Sequence, residues 1–402
     1  MSARQQELAA VVAEARQALT ADAGRLWRLD VQEPRWILAD GDVWWLSESL
    51  TGATTDGLVP IRADPAMFAA DTAISWQERI WAMVDCGEGF PTPRRLLHEA
   101  FHAFWQFEGW KDDEPIEAGE PILDTADGRT LLIIELRAWA SALESGDPRE
   151  AAAAATIRAH RRRNTSAAEL RRQDHLDVWE GLAEYSSWRW TRARRAEVVA
   201  LARRGAEGES WSRSFCYTTG PVLGYALDRF VSRGLDWRSR LLRKHPLQSL
   251  LDDVLGGEVT AAQPMLDQFG FTEVLRTERA SEQRRAAHDQ AVRNRFAMAL
   301  WVRLRGAIRF RPTESQQWEL GTFYRTLHTR SPELVVDAHE GALVTGDWAW
   351  VGLPCPVRPL QDSRTLDGPG WTLAWTELPQ STFWGPAPPT PDSADDADRP
   401  LS

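Results

Sequence analysis

Cysteine is scarce in this chain of 402 residues: Cys86, Cys216 and Cys355 stand far apart, and no CxxC pair exists. That excludes a zinc ribbon or a disulfide framework, and such thiol-poor usage fits a reducing compartment. No apolar run approaches the length that spans a bilayer, so no membrane segment is expected. The N-terminal stretch lacks the apolar core of a signal peptide, because Glu7, Glu14 and Arg16 interrupt it. These absences make the cytoplasm the expected location. A basic domain is missing too, and with a net charge of -11 no nucleic-acid partner is expected. Walker loops, dinucleotide fingerprints and GxSxG elbows are all absent.

What is present suits a globular chain with a sizeable core: 43% hydrophobic and 26% charged residues. Tryptophan is abundant, with 21 residues, and is expected mainly in core and cleft walls, where it buries a large apolar area. Leu8, Val11, Val12, Ala15 and Leu19 recur at helical spacing, which predicts an amphipathic helix over 1–22. Short strands are expected over 24–62 (Arg25–Leu29, Arg35–Leu38, Val43–Leu46), and another at Arg79–Asp85. Helices are expected over 93–107, 131–145, 148–163, 166–195, 196–205 and 218–233. Strands return at Ala307–Arg311, Leu334–Ala338, Ala342–Val344, Trp348–Val351 and Trp371–Thr376. The fold class is therefore α+β. Its domains are a main one over 23–300 with a helical insertion at about 110–165, a β-rich region over 301–385, and a Pro, Ala and Asp-rich tail over 386–402 expected to be disordered.

The run Arg158, Arg161, Arg162, Arg163 is expected to be a solvated helix face. The stretch Asp124-Thr125-Ala126-Asp127-Gly128 has the wrong acidic spacing for an EF-hand and reads as a turn.

One motif carries chemistry. In His98-Glu99-Ala100-Phe101-His102 the histidines are one helical turn apart on one face, so both imidazoles can hold one tetrahedral ion. Glu99 can then act as general base towards a water activated by that ion. Thr92 and Pro93 supply an N-cap and a first helical residue, while Leu96, Leu97, Ala100, Phe101, Phe104 and Trp105 would seat the opposite face in a core. A catalytic zinc needs a third protein ligand. The segment 177–185 offers Asp177, Glu180 and Glu184, with Gly181 marking a place where another backbone comes close.

Glu180-Gly181-Leu182-Ala183-Glu184-Tyr185 resembles the Glu-Gly-x-Ala-x-Tyr string of the gluzincin metallopeptidases, the thermolysin and aminopeptidase group. The resemblance implies a zincin-like domain and one Zn2+ ion held by His98, His102 and Glu180, with Glu99 catalytic. It also implies that Glu184 accepts the outer N–H of a ligand histidine. It covers the two metal-bearing helices only, since the spacer between His102 and Glu180 is longer than in that group. Ser214-Phe215-Cys216-Tyr217-Thr218-Thr219-Gly220 resembles the group's Tyr-x-x-Gly region, making Tyr217 the candidate oxyanion donor, with His175 as the alternative.

The expected activity is hydrolysis of peptide bonds in a peptide or protein substrate. The strand at 79–86 is expected to run along the cleft edge and pair with the substrate backbone, with Trp81 and Trp105 as cleft walls or core. The alternative is a zinc-binding regulatory or scaffold protein with little or no peptidase activity, or a protease of a single partner that uses the β-rich region for recognition. The sequence leaves oligomeric state and cleavage preference open.

Overall fold

The chain opens, in the computed structural model, with helix α1 (Ala3–Asp22), capped by Ser2 Oγ, which accepts from Gln5 N at 3.1 Å. Leu8, Val12 and Ala15 form its buried stripe, as the helical period predicts. The structure describes residues 2–28, 34–50, 57–64, 67, 69–107, 122–205, 211–231, 236–242, 247–255, 261–304, 309–311, 315–330, 334–358, 364–375 and 382–388.

A five-stranded sheet follows, built from β1 (Trp36–Asp40), β2 (Val43–Leu46), β3 (Val59–Arg62), β4 (Thr72–Trp76) and β5 (Arg79–Asp85) in the order β3-β2-β1-β5-β4. Neighbours are antiparallel except β1 and β5, which run parallel with Trp36 opposite Ala82. Strand β5 is thus paired on both sides, which corrects the expectation that it forms the cleft edge. The edge is β4. It joins β5 through Gln77 and Glu78, at φ 49° and 59°, a hairpin turn made without the glycine or asparagine that usually announces one.

The strand expected at Arg25–Leu29 does not form over its described part. Residues 23–28 are turns, and Trp27, 1% exposed, enters the core and donates its Nε1 to Ser186 Oγ at 3.0 Å. Side-chain burial wins over β-propensity here.

Then come helices α2 (Pro93–Phe107), α3 (Ala126–Ser145), α4 (Pro148–Arg163), α5 (Ala167–Trp190), α6 (Arg195–Arg204), α7 (Trp211–Phe230), α8 (Trp237–Leu242), α9 (Leu247–Leu255), α10 (Gln263–Gln268) and α11 (Phe271–Arg295). The helix expected over 166–195 ends at Trp190, where Arg192 at φ 55° turns the chain into α6. Helix α7 starts earlier than the expected 218 because Asp124 Oδ1 accepts from Trp211 N (2.6 Å) and Ser212 N (3.2 Å). Asp124 closes a short 3-10 turn, Ile122–Asp124, and Thr125 caps α3, so the stretch 124–128 is a pair of caps and a helix start rather than a simple turn.

Helices α3 and α4, the expected insertion, are part of the core and not an appendage; residues 108–121 lie outside the described set. Arg158 and Arg161 of α4 are 0% and 2% exposed, which corrects the solvated-face reading. Arg158 donates to Glu135 of α3 (3.0 Å) and to Asp177 of α5, and Arg161 donates to Glu135 (2.7 Å) and Gln173 (2.9 Å). Asp177 accepts in turn from Thr219 of α7 at 2.9 Å. Buried arginines of this kind survive because carboxylates from two other helices meet them.

The chain divides into two compact units, Met1–Ala280 and Ser281–Ser402, with the boundary inside α11. In the second unit, β6 (Ala299–Arg303), β7 (Arg309–Arg311), β8 (Ser315–Trp318), β9 (Gly321–Tyr324), β10 (Leu327–Arg330), β11 (Leu334–Ala338), β12 (Ala342–Val344), β13 (Trp350–Pro354), β14 (Thr365–Gly368), β15 (Trp371–Trp375) and β16 (Thr382–Gly385) form two antiparallel sheets. Their orders are β14-β15-β11-β10-β7 and β16-β6-β13-β12-β9-β8. Val302, Val351 and Leu353 from one sheet and Val336, Trp371 and Leu373 from the other share one core. The tail residues 389–402, expected to be disordered, lie outside the described set. Among the described residues no helix is long and apolar enough to cross a membrane.

Candidate metal centre

Helix α2 starts where its caps predict. Thr92 Oγ1 accepts from Arg95 N at 3.2 Å, and Pro93 takes the first helical position. Its apolar face, Leu96, Leu97, Phe101 and Trp105, is fully buried, and Trp27 packs on Phe101 and Trp105 with ring centroids 5.5 and 5.7 Å away. That clamp turns His98, Glu99 and His102 towards a cleft of about 500 Å³. Trp81 and Trp105 are both core, at 0% exposure.

The third member arrives through a tight helix crossing. A Cβ on Gly220 of α7 would lie 2.1 Å from Gly181 O, so only glycine fits there. Gly181 is where the sequence predicts a close backbone, and the backbone that comes close is that of α7. One turn further on, the Tyr185 ring lies over Gly224, and its hydroxyl donates to Asp228 at 2.8 Å. Contacts advance in the same sense along α5 and α7, from Asp177 with Thr219 to Tyr185 with Gly224, so the helices run in the same direction. Glu180 and Tyr217 flank this crossing and face the same cleft.

His98 Nε2 lies 3.1 Å from His102 Nε2 and 3.1 Å from Glu180 Oε2, and His102 Nε2 lies 3.5 Å from Glu180 Oε2. Three lone-pair atoms this close need positive charge among them, either a proton on an imidazole or a shared cation. The spacing is that of a tetrahedron's edges, about 3.3–3.4 Å when each corner is about 2.0–2.1 Å from the centre, the reach of a zinc–nitrogen or zinc–oxygen bond. The donor set therefore fits a metal ion, and among the described residues His98, His102 and Glu180 form the group that could hold one. Asp177, a rival for third ligand, is instead spent on Arg158 and Thr219.

Glu184 Oε2 lies 3.0 Å from His98 Nδ1, and its other oxygen accepts from Trp188 Nε1 at 2.7 Å. A proton on Nδ1 leaves the Nε2 lone pair of His98 pointing at the cluster. Burial disfavours charge on His98, but the bonds to Glu180 and Glu184 outweigh it and hold the imidazole pKa well above its usual value. Burial likewise opposes ionisation of Glu180, and its contacts with His102 and His98 win, so its pKa is lowered.

Glu99 is 4% exposed, and burial pushes its pKa up to about 8; its Oε2 has no hydrogen-bond partner among the described residues. A divalent cation beside it would pull that value back down. The Tyr217 hydroxyl donates to Glu180 Oε2 at 3.1 Å, and desolvation together with the Glu180 charge raises its pKa, so it remains a donor. His175, the alternative donor, does not line the cleft; it stacks on Trp179 at 6.2 Å, and Trp179 stacks on His102 at 5.1 Å.

Sequence reasoning missed Trp179, Arg94, Arg95, Asp71 and Thr72 on the cleft wall. Trp179 was within reach of a helical-spacing argument, four residues after His175 and next to Glu180. Asp71 was not, because it depends on β4: its carboxylate accepts from Arg95 Nη2 (2.7 Å) and from Asp85 N (2.8 Å), tying the first turn of α2 to the sheet. Compared with known protein families, with curated proteins and with solved structures, the chain matches none.

Proposed function

We propose that the chain is a zinc-dependent peptidase with a zincin-like first unit. The observation that carries the reading is the convergence of His98, His102 and Glu180 at tetrahedral spacing in a cleft that also holds Glu99 and the Tyr217 hydroxyl. When bound to the three ligands, zinc supplies a Lewis acid that polarises a scissile carbonyl and makes water nucleophilic near neutral pH. Glu99 takes the proton from the attacking water and returns it to the leaving amine. Glu184 keeps His98 in the tautomer that ligates. Tyr217 turns its hydroxyl from Glu180 to the developing oxyanion. An extended substrate lies along β4, the edge strand that enters the cleft at Thr72; there it competes with Gln106, whose Nε2 donates to Ala73 O at 3.1 Å.

The test pairs metal analysis with turnover of an unstructured protein substrate. The wild type should hold one zinc per chain and lose hydrolysis to a chelator. Glu99→Gln should keep the zinc and lose roughly 10²–10⁴-fold in rate. Undiminished hydrolysis by Glu99→Gln, or no zinc on the purified wild type, would overturn the reading.

A further inference from the structure

Helix α2 carries Arg94 and Arg95 in its first turn, where the helix dipole favours carboxylates, and has no acidic residue there. The two arginines differ in what they face. Arg95 is committed to Asp71 and to the Asp85 carbonyl, at 2.7 and 2.8 Å. Arg94 lines the same cleft with its guanidinium carbon over the Trp188 ring, 4.1 Å from the centroid, and no carboxylate among the described residues lies within ion-pair distance of it. Glu197 of α6 acts on it only at longer range, and the Glu197 carboxylate is already accepting from Arg194 N at 2.8 Å. A guanidinium held over an indole face by a cation–π contact still has N–H donors to offer a planar, two-oxygen partner.

The mount is rigid and tied to the candidate metal centre. Trp188 is 6% exposed, and its Nε1 is fixed by Glu184, the residue that holds His98. Arg94, His98 and His102 follow one another at four-residue spacing, so Arg94 extends the row of ligands by one turn, about 6 Å. Trp188 lies two turns beyond Glu180 on α5, about 12 Å along the axis. An extended peptide covers that span in about three to four residues.

We propose that Arg94, held against Trp188, receives a carboxylate of the substrate, so that the cleft selects peptides with an acidic side chain or a free C-terminus within about four residues of the scissile bond. The inference rests on the peptidase reading for its use, although the carboxylate subsite itself can be measured without turnover.

The experiment compares matched peptides, Glu against Gln at each position near the cleavage site and free against amidated C-termini, on wild type, Arg94→Gln and Arg94→Lys. Binding is followed by calorimetry on zinc-loaded Glu99→Gln and on chelator-treated protein, and turnover on the active enzyme. Wild type should favour one carboxylate source by roughly ten- to hundredfold, and the peptide arms identify which. Arg94→Gln should erase that ratio while leaving the amide peptides unchanged, and Arg94→Lys should restore part of it. An equal loss on all peptides, or no carboxylate preference in the wild type, would overturn the subsite. If no peptide is cleaved but binding still depends on Arg94 and carboxylate, the peptidase reading fails and the subsite stands.

Discussion

Replacing Gly220 by alanine tests the helix crossing that brings Tyr217 to Glu180. The new Cβ would meet Gly181 O at 2.1 Å and Gly181 Cα at 2.4 Å, both backbone atoms that no rotamer change can move. Ordinary contact lies about 1.3 Å further out, so α5 and α7 must part by roughly that much. Overpacking of this kind costs up to about 3 kcal/mol, and the better helix propensity of alanine returns about 1, leaving a net loss of about 2 kcal/mol. The same displacement stretches the 3.1 Å Tyr217–Glu180 bond beyond hydrogen-bond range. Gly181→Ala is the control, for its Cβ would meet Gly220 Cα at 3.2 Å, a conflict that a few tenths of an ångström relieve. Urea unfolding should therefore rank Gly181→Ala near wild type and Gly220→Ala well below it. Equal stability of the two variants would refute the crossing.

Three further outcomes follow from the same contacts. Glu184→Ala should weaken metal affinity by roughly 10–100-fold with little change in fold, measured by competition with a chromogenic chelator, because His98 loses its orienting acceptor. Arg158→Met should cost about 3–5 kcal/mol in urea unfolding, since Asp177 would remain buried without its cation and Glu135 would keep only Arg161. Burial opposes ionisation of Glu135, yet Arg161 and Arg158 hold its pKa below the usual glutamate value. A depressed folded pKa stabilises the protein above the ordinary carboxylate range, and that stability drains away as pH falls through the folded value. Unfolding midpoints between pH 6 and 3 should thus fall more steeply for wild type than for Glu135→Gln; parallel curves would contradict the assignment.

The cluster that could hold a metal ion was legible because its residues sit in short strings. His98, Glu99 and His102 share one turn, and Glu180 to Tyr185 carry the cluster's carboxylate, a crossing glycine and the carboxylate that meets His98 Nδ1 in six residues. Where meaning depends on remote partners, local reading failed. The arginines of α4 look like a wet face until Glu135 and Asp177 arrive from α3 and α5. Strand β5 looks like an edge until β4 pairs with it through a turn lacking the usual residues. Trp27 scores as strand-forming, but its partners Phe101, Trp105, Tyr185 and Trp237 lie far along the chain.

Asp124 bears on the order in which the molecule assembles. The first turn of α7 draws its capping acceptor from a residue 87 positions upstream. A peptide covering 211–230 lacks that acceptor and carries Pro221 in its interior, so it should be poorly helical in isolation. The segment bearing Tyr217 should therefore gain its helix only after the 122–125 turn and α3 are in place, an order that φ-values on either side of the Asp124 cap would test. Closing that long loop should make it a late event in folding. The hydroxyl facing Glu180 should then be among the last parts of the cleft to be set.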